Sequence, residues 1–300
     1  MKNFPKHIVI GILFLVSLLP FPLLYCLSSS LTFILRDIAG YRKKVIEENL
    51  KRSFPGKSDK ERRIIKRKFY RNLTDFLLEI VKIKSMSRKQ FAKRVEIQGV
   101  DILDEYFEKK KSVLVALGHC PNWEWMAIKL ALVSKHKVVA AVKPLTNPYF
   151  EKHLGKLRQK FSEDSLIPYK MTLRYLIKNR DKLTITLIAA DQTPTRGESD
   201  YWTTFLNQDT PVFLGLEKIG KSLDLPVVYL EMTRTKRGYY RARFENLVGN
   251  PRDTKEFEIT NAHVQRLEKT INEHPDNWFW SHRRWKHKRT PAEIAAQKMG

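Results

Sequence analysis

From Ile8 to Leu35 the chain runs 28 residues without a charged side chain, until Arg36 ends the run. A helix crosses a hydrocarbon core with roughly 20 apolar residues, so this stretch is long enough to span a membrane. Pro20 and Pro22 interrupt it. Proline has no amide proton and crowds the preceding turn, so these residues either kink a spanning helix or divide the run into an interfacial hairpin. Lys2 and Lys6 precede the run, while Arg36, Arg42, Lys43 and Lys44 follow it. The larger basic cluster is C-terminal, and the positive-inside rule then predicts that the rest of the chain faces the cytoplasm. A cleaved signal peptide would share the basic end and apolar centre. Leu27-Ser28-Ser29-Ser30 is a poor small-x-small cleavage site, however, and the bulky Tyr25 before Cys26 spoils a lipoprotein site. Residues 1–40 therefore read as a retained membrane anchor.

The remainder, residues 41–300, reads as one domain. Tyr41 to Phe54 has the pattern of a short basic amphipathic helix, ended by Pro55-Gly56. Ser58 and Glu61 stand at capping-box spacing before a second helix. That helix places Ile64, Ile65, Phe69, Leu73, Phe76, Leu77, Ile80 and Val81 near one face, with Lys and Arg opposite. The basic face suits anionic headgroups or plain solvation. Strands then alternate with helices. Strands are expected at Ser112 to Leu117, Lys137 to Val142, Leu183 to Ala190, Pro226 to Met232 and Tyr239 to Leu247, the last antiparallel. Helices are expected at Asn122 to Val133, Pro148 to Phe161, Thr172 to Asn179, Val212 to Ser222 and Thr260 to His274. This order predicts an α/β fold with a mixed central sheet covered by helices.

The chain carries 56 Lys and Arg against 32 Asp and Glu, a net charge of +24. Such an excess calls for an anionic partner: nucleic acid, an anionic membrane, phosphorylated substrates or an acidic carrier protein. The two cysteines, Cys26 and Cys120, form no zinc framework.

The strand Val113 to Leu117 runs into Gly118-His119-Cys120-Pro121-Asn122-Trp123-Glu124. Pro121 suits a helix start, so His119 falls at the C-terminal end of a strand, where open α/β sheets bind ligands. Side chains five positions apart on one helix lie about 140° from each other, but a turn at Cys120-Pro121 can fold the Glu124 carboxylate back onto the imidazole. One ring nitrogen can then take a proton from a hydroxyl while Glu124 holds the other. The same spacing also fits a strand-end histidine beside a structural glutamate. Cys120 as a thiol nucleophile is disfavoured, because adjacent residues rarely meet as a catalytic pair.

Gly118-His119-x-x-Asn122-Trp123-Glu124 resembles the His-x4-Glu motif of the bacterial lipid A biosynthesis (late) acyltransferase family, itself similar to the His-x4-Asp glycerolipid acyltransferases. Other segments agree in order along nearly the whole chain: Arg42 to Pro55, Asp191-Gln192 with Arg196-Gly197, and Pro275-x-x-Trp278-x-Trp280-x-His282-Arg283-Arg284-Trp285-Lys286. The resemblance implies a glycerolipid-acyltransferase-like fold at the bacterial inner membrane, with the catalytic domain on the cytoplasmic face. It implies transfer of a fatty acyl group from an acyl carrier protein thioester to a hydroxyl of a lipid A precursor, without cofactor or metal. His119 would be the base and Glu124 its orienting partner. Arg158, Asp191, Gln192, Arg196 and Asn122 would bind substrate, with Arg158 able to grip a phosphate or an oxyanion. Thr193 to Asp209 departs from the usual family wording, which leaves the acceptor open to another glycolipid or a lysophospholipid. Glycerolipid enzymes, though, carry Asp at the Glu124 position and a Glu-Gly-Thr-Arg segment, and this sequence has neither.

In the tail, Trp278, Trp280 and Trp285 mix with Arg283, Arg284 and Lys286. This composition suits a membrane interface or phosphorylated lipid headgroups. Contact with membrane or headgroups is the expectation for these six residues, with an aromatic core and a solvated basic edge as the alternative. Single-stranded nucleic acid is a third fit, but no recognisable module supports it.

Overall fold

The computed structural model describes residues 4–195, 198 and 201–290. The uncharged N-terminal run is not one continuous helix. Helix α1 (Phe4–Leu18) stops before Pro20, and α2 (Phe21–Phe33) restarts with proline in its first turn, continuing as a π-helical turn over Ile34–Ile38. Phe21 to Ile38 remains long and apolar enough to cross a membrane. Ile8, Ile12, Leu15, Leu23, Phe33 and Ile38 are exposed on these helices.

Two basic helices follow, α3 (Lys43–Ser53) and α4 (Asp59–Lys82). Arg42 adopts a left-handed conformation, with φ 51°, which leaves Tyr41 outside α3. The capping box forms as expected: the Ser58 hydroxyl accepts the Glu61 amide, and the Glu61 carboxylate accepts the Ser58 amide. The buried surface of α4 is wider than its apolar stripe. Ile64 and Leu77 are exposed, whereas Asp75, Glu79 and Lys82 are buried. The N-terminal helices contribute to this, packing along α4 through polar contacts: Ser28 donates to Asp75 at 2.5 Å, Tyr25 to Glu79 at 2.7 Å, and Lys82 to the Ser17 and Leu19 carbonyls at 2.7 Å each.

The sheet elements come next: α5 (Arg88–Arg94), β1 (Val95–Gln98), α6 (Val100–Glu108), β2 (Val113–Leu117), α7 (Trp123–Val133), β3 (Lys137–Val142) and α8 (Pro148–Arg158). They continue with β4 (Leu166–Pro168), α9 (Thr172–Lys178), β5 (Thr184–Ala189), β6 (Trp202–Phe205), β7 (Gln208–Pro211) and α10 (Gly215–Leu223). The long hairpin β8 (Val227–Lys236) and β9 (Tyr239–Val248) and the helix α11 (Glu258–Glu273) complete the order. Among the described residues, seven strands form one sheet in the order β1-β9-β8-β2-β5-β3-β4. The inner strands run parallel, and β9 is antiparallel to β8.

Every residue of β2 is buried, as expected for a parallel strand covered on both faces. Leu114 and Ala116 join the core under α10 and α11, while Val113, Val115 and Leu117 join the core under α7. The helix expected from Val212 begins at Gly215, because residues 202–211 form a separate two-stranded hairpin. Its turn residues, Leu206 and Asn207, have φ 50° and 61°, a two-residue turn of the primed kind. The helix expected to reach Phe161 ends at Arg158.

Candidate active site

β2 and β5 are parallel neighbours in register, with Leu117 opposite Ala189. Their C-terminal continuations therefore emerge side by side. One carries His119 and the other Asp191. The His119 ring Nδ1 lies 2.6 Å from Asp191 Oδ1, and the His119 backbone amide donates to Asp191 Oδ2 at 2.9 Å. The Trp278 indole donates to the same oxygen at 2.7 Å. Gly118 leaves room for Leu267 of α11, which a Cβ there would meet at 2.5 Å.

Asp191 is buried, which by itself would raise its pKa. The facing His119 and the donated hydrogen bonds win, and the carboxyl is held far below the usual carboxylate range. Burial likewise depresses His119, but the Asp191 carboxylate more than offsets this, leaving the imidazole above its ordinary value. With Asp191 ionised, Nδ1 carries the proton and Nε2 is free to act as a base. The Gln192 amide stands 3.3 Å from Nε2.

The expected His119–Glu124 partnership is not the one formed. Glu124 is gripped by Arg158 in a fork, with Nε donating to Oε2 at 2.9 Å and an Nη to Oε1 at 2.6 Å. The Trp123 indole adds a bond to Oε1 at 3.1 Å. Glu124 sits in the first turn of α7, and the turn before it directs the carboxylate towards the end of α8. The role of orienting the imidazole falls to Asp191. Glu124 reaches His119 only through its charge, which favours the imidazolium. Arg158, expected as a free anion-binding group, is already committed to this carboxylate.

Asn122 was expected to meet substrate, but it is fully buried and structural. It caps α7 by accepting the Trp125 amide at 3.0 Å, and its own amide donates to Glu79 at 2.6 Å. Trp123 takes a place the sequence did not suggest. Its ring meets His119 edge-on at 4.9 Å and packs on Phe76 at 4.4 Å. Cys120 is buried, and burial pushes its thiol pKa well up, which removes it as a nucleophile. Arg196 lies outside the described residues.

The tail is corrected in the same way. Trp278, Trp280, Trp285 and Arg284 are buried and cannot touch a membrane; Arg283 and Lys286 are exposed. The rings pack into the core, Trp278 edge-on to Trp280 at 4.8 Å, and Trp278 reaches inward to Asp191. The spacing of basic and aromatic residues could not tell which side chains point inward.

A cavity of about 570 Å³ opens beside the dyad. His119, Glu124, Arg158 and Gln192 stand at one part of its wall, and Met126, Ala127, Val138, Leu166, Leu187 and Ile219 make much of the rest apolar. A histidine held in one orientation, an arginine–carboxylate pair and an apolar chamber together suit a substrate with a polar group carried on a hydrocarbon chain.

The chain belongs to the bacterial lipid A biosynthesis acyltransferase family, whose model it matches over residues 2–287. It is similar to the lipid A biosynthesis lauroyltransferase of Escherichia coli (strain K12), with 24% identity over 282 residues, covering 92% of this chain and 90% of the relative. It is also similar to lipid A biosynthesis acyltransferase 2 of Shigella flexneri, with 22% identity over 246 residues, covering 77% of this chain and 74% of the relative. It is an acyltransferase of lipid A synthesis.

Proposed function

We propose that the protein moves a fatty acyl chain from an acyl carrier protein thioester to a hydroxyl of a lipid A precursor, with His119 as general base. The carrying observation is the 2.6 Å contact between His119 Nδ1 and buried Asp191, beside an apolar cavity. The acceptor hydroxyl takes the place of the Gln192 amide at Nε2. Nε2 removes its proton as the oxygen attacks the thioester carbonyl. The tetrahedral intermediate collapses, the carbon–sulfur bond breaks, and the imidazolium returns the proton to the departing thiolate. The products are an ester and a free carrier thiol. Asp191 holds the imidazole and stabilises its protonated form, as an orienting carboxylate does in a hydrolytic triad. Arg158 and Glu124 shape the wall where the carbonyl sits.

The net charge of +24 suits an acidic carrier and a phosphorylated acceptor. The exposed apolar surface of α1 and α2, followed by Arg36, Arg42, Lys43 and Lys44, supports attachment to the bacterial inner membrane with the catalytic part on the cytoplasmic side. Mass spectrometry of lipid A from a deletion strain tests the assignment. Loss of one acyl chain, restored by the intact chain, is expected; unchanged lipid A contradicts it.

A further inference from the structure

Glu79, on α4, is fully buried, and no step above uses it. Its Oε2 accepts from the Asn122 amide at 2.6 Å and from the Tyr240 hydroxyl at 2.5 Å. Its Oε1 accepts from the Tyr25 hydroxyl at 2.7 Å, and its backbone carbonyl accepts the Trp125 indole at 2.9 Å. One residue thus ties together α2, β9, the start of α7 and the turn that leads into it. A buried carboxylate needs such donors, and this one has three on its side chain.

The partner that matters is Asn122. It stands between His119 and Glu124 in a left-handed conformation, φ 49° and ψ 48°. Asparagine tolerates that conformation better than most residues, but it still needs to be held there. Both ends of its amide are held: Oδ1 by the Trp125 amide and Nδ2 by Glu79. Whatever fixes this amide fixes the turn from which His119 and Glu124 project.

We propose that Glu79 is a positioning residue for acyl transfer: it locks Asn122, and so the His119–Glu124 turn, while Tyr25 anchors the apolar helix α2 to the same carboxylate. The seating of the N-terminal helix and the geometry of the catalytic turn then share one hydrogen-bonded hub. This rests on the reaction proposed above for its kinetic readout, but not for its structural one.

The test uses the full chain in detergent micelles, with an acyl carrier protein thioester and a lipid A precursor. Glu79→Met keeps much of the length but removes the acceptor of the Asn122 amide. The expected result is a fall in kcat of about 10- to 100-fold with KM little changed, because a displaced turn misaligns the base without removing binding contacts. Asn122→Asp keeps the helix cap but sets carboxylate against carboxylate, and gives a similar loss. The double variant Glu79→Gln with Asn122→Asp restores a donor–acceptor pair in reverse and regains most of the activity. Hydrogen exchange over residues 119–126 follows the same order: faster in each single variant and slowed again in the double. Unchanged kcat and unchanged exchange in the single variants, or a double variant worse than both, overturns the proposal. Should the wild type transfer no acyl group, the catalytic reading falls, and the exchange pattern still decides whether Glu79 holds the turn.

Discussion

His119 Nδ1 lies 2.6 Å from Asp191 Oδ1, although the two residues are 72 positions apart in the chain. The nearer carboxylate in sequence, Glu124, is turned away and forked by Arg158. The dyad of this site is therefore built across two neighbouring strands, and the sequence motif contributes one half of it.

Replacing Asp191 by asparagine leaves most of the packing but removes the acceptor that fixes the imidazole tautomer. Turnover is expected to fall by about 10²- to 10⁴-fold. Steady-state assay of the purified variant, with a thermal melt to confirm folding, checks this.

The pH dependence follows from the same pair. A histidine base works as neutral imidazole, and His119, the proposed base, is held above its ordinary value of about 6.5. The rate should rise with pH through a midpoint above that value. In Asp191→Asn the burial of the ring is no longer offset, so the residual activity should show its midpoint shifted down. A kcat/KM profile of both proteins reads the sign directly.

Glu124 and Arg158 test as a unit. Each is largely buried, and removing one leaves the other charge without its partner. Glu124→Ala or Arg158→Ala should each cost up to about 3–5 kcal/mol of stability, and the double variant less than the sum. Denaturant unfolding of the three variants gives the coupling.

Glu79 sets a slope in stability. Its burial raises the pKa to about 7, against the hydrogen bonds from Tyr240 and Tyr25 and the charge of Arg234, which lower it, with Asp75 adding to the rise. A folded-state value above the unfolded one means that the native protein holds the proton more tightly. The stabilisation is complete below the unfolded value of about 4.3 and is lost as pH climbs through about 7. Glu79→Gln should flatten the change in melting temperature across this window.

The tail gives a contrast between core and surface. Trp280→Ala should destabilise the fold by about 3–5 kcal/mol, as expected for a large buried ring. Charge reversal at exposed Arg283 and Lys286 should leave the melt unchanged and weaken binding to anionic vesicles. Vesicle sedimentation beside thermal unfolding separates the two.

The central strands were legible in sequence because β2 is an uninterrupted apolar run, and β5 and the first half of β8 are rich in β-branched and apolar residues. The edge strands Val95–Gln98 and Leu166–Pro168 were not, since three or four residues carry no pattern. The 202–211 hairpin was missed because Leu206-Asn207 lacks the usual glycine, and burial of Leu206 in the core offsets its unfavourable conformation. Periodicity placed His119 at a strand end, and Asp191 directly follows another expected strand, Leu183 to Ala190. Their pairing needs the β2–β5 adjacency, which depends on the order of strands in the sheet and leaves no local mark. The tail was read by composition, and composition does not say that Trp278 points to Asp191. Glu79 was hidden because α2, β9 and the start of α7 all converge on it, and these long-range contacts leave no local mark.

The proposed chemistry depends on His119 as the base. Single-turnover transfer from an acyl carrier protein thioester to a lipid A precursor, measured with the folded full chain and its His119→Ala variant, tests it most directly. Near-complete loss of ester formation in the variant, with donor and acceptor still bound, is predicted; transfer at the wild-type rate would contradict it.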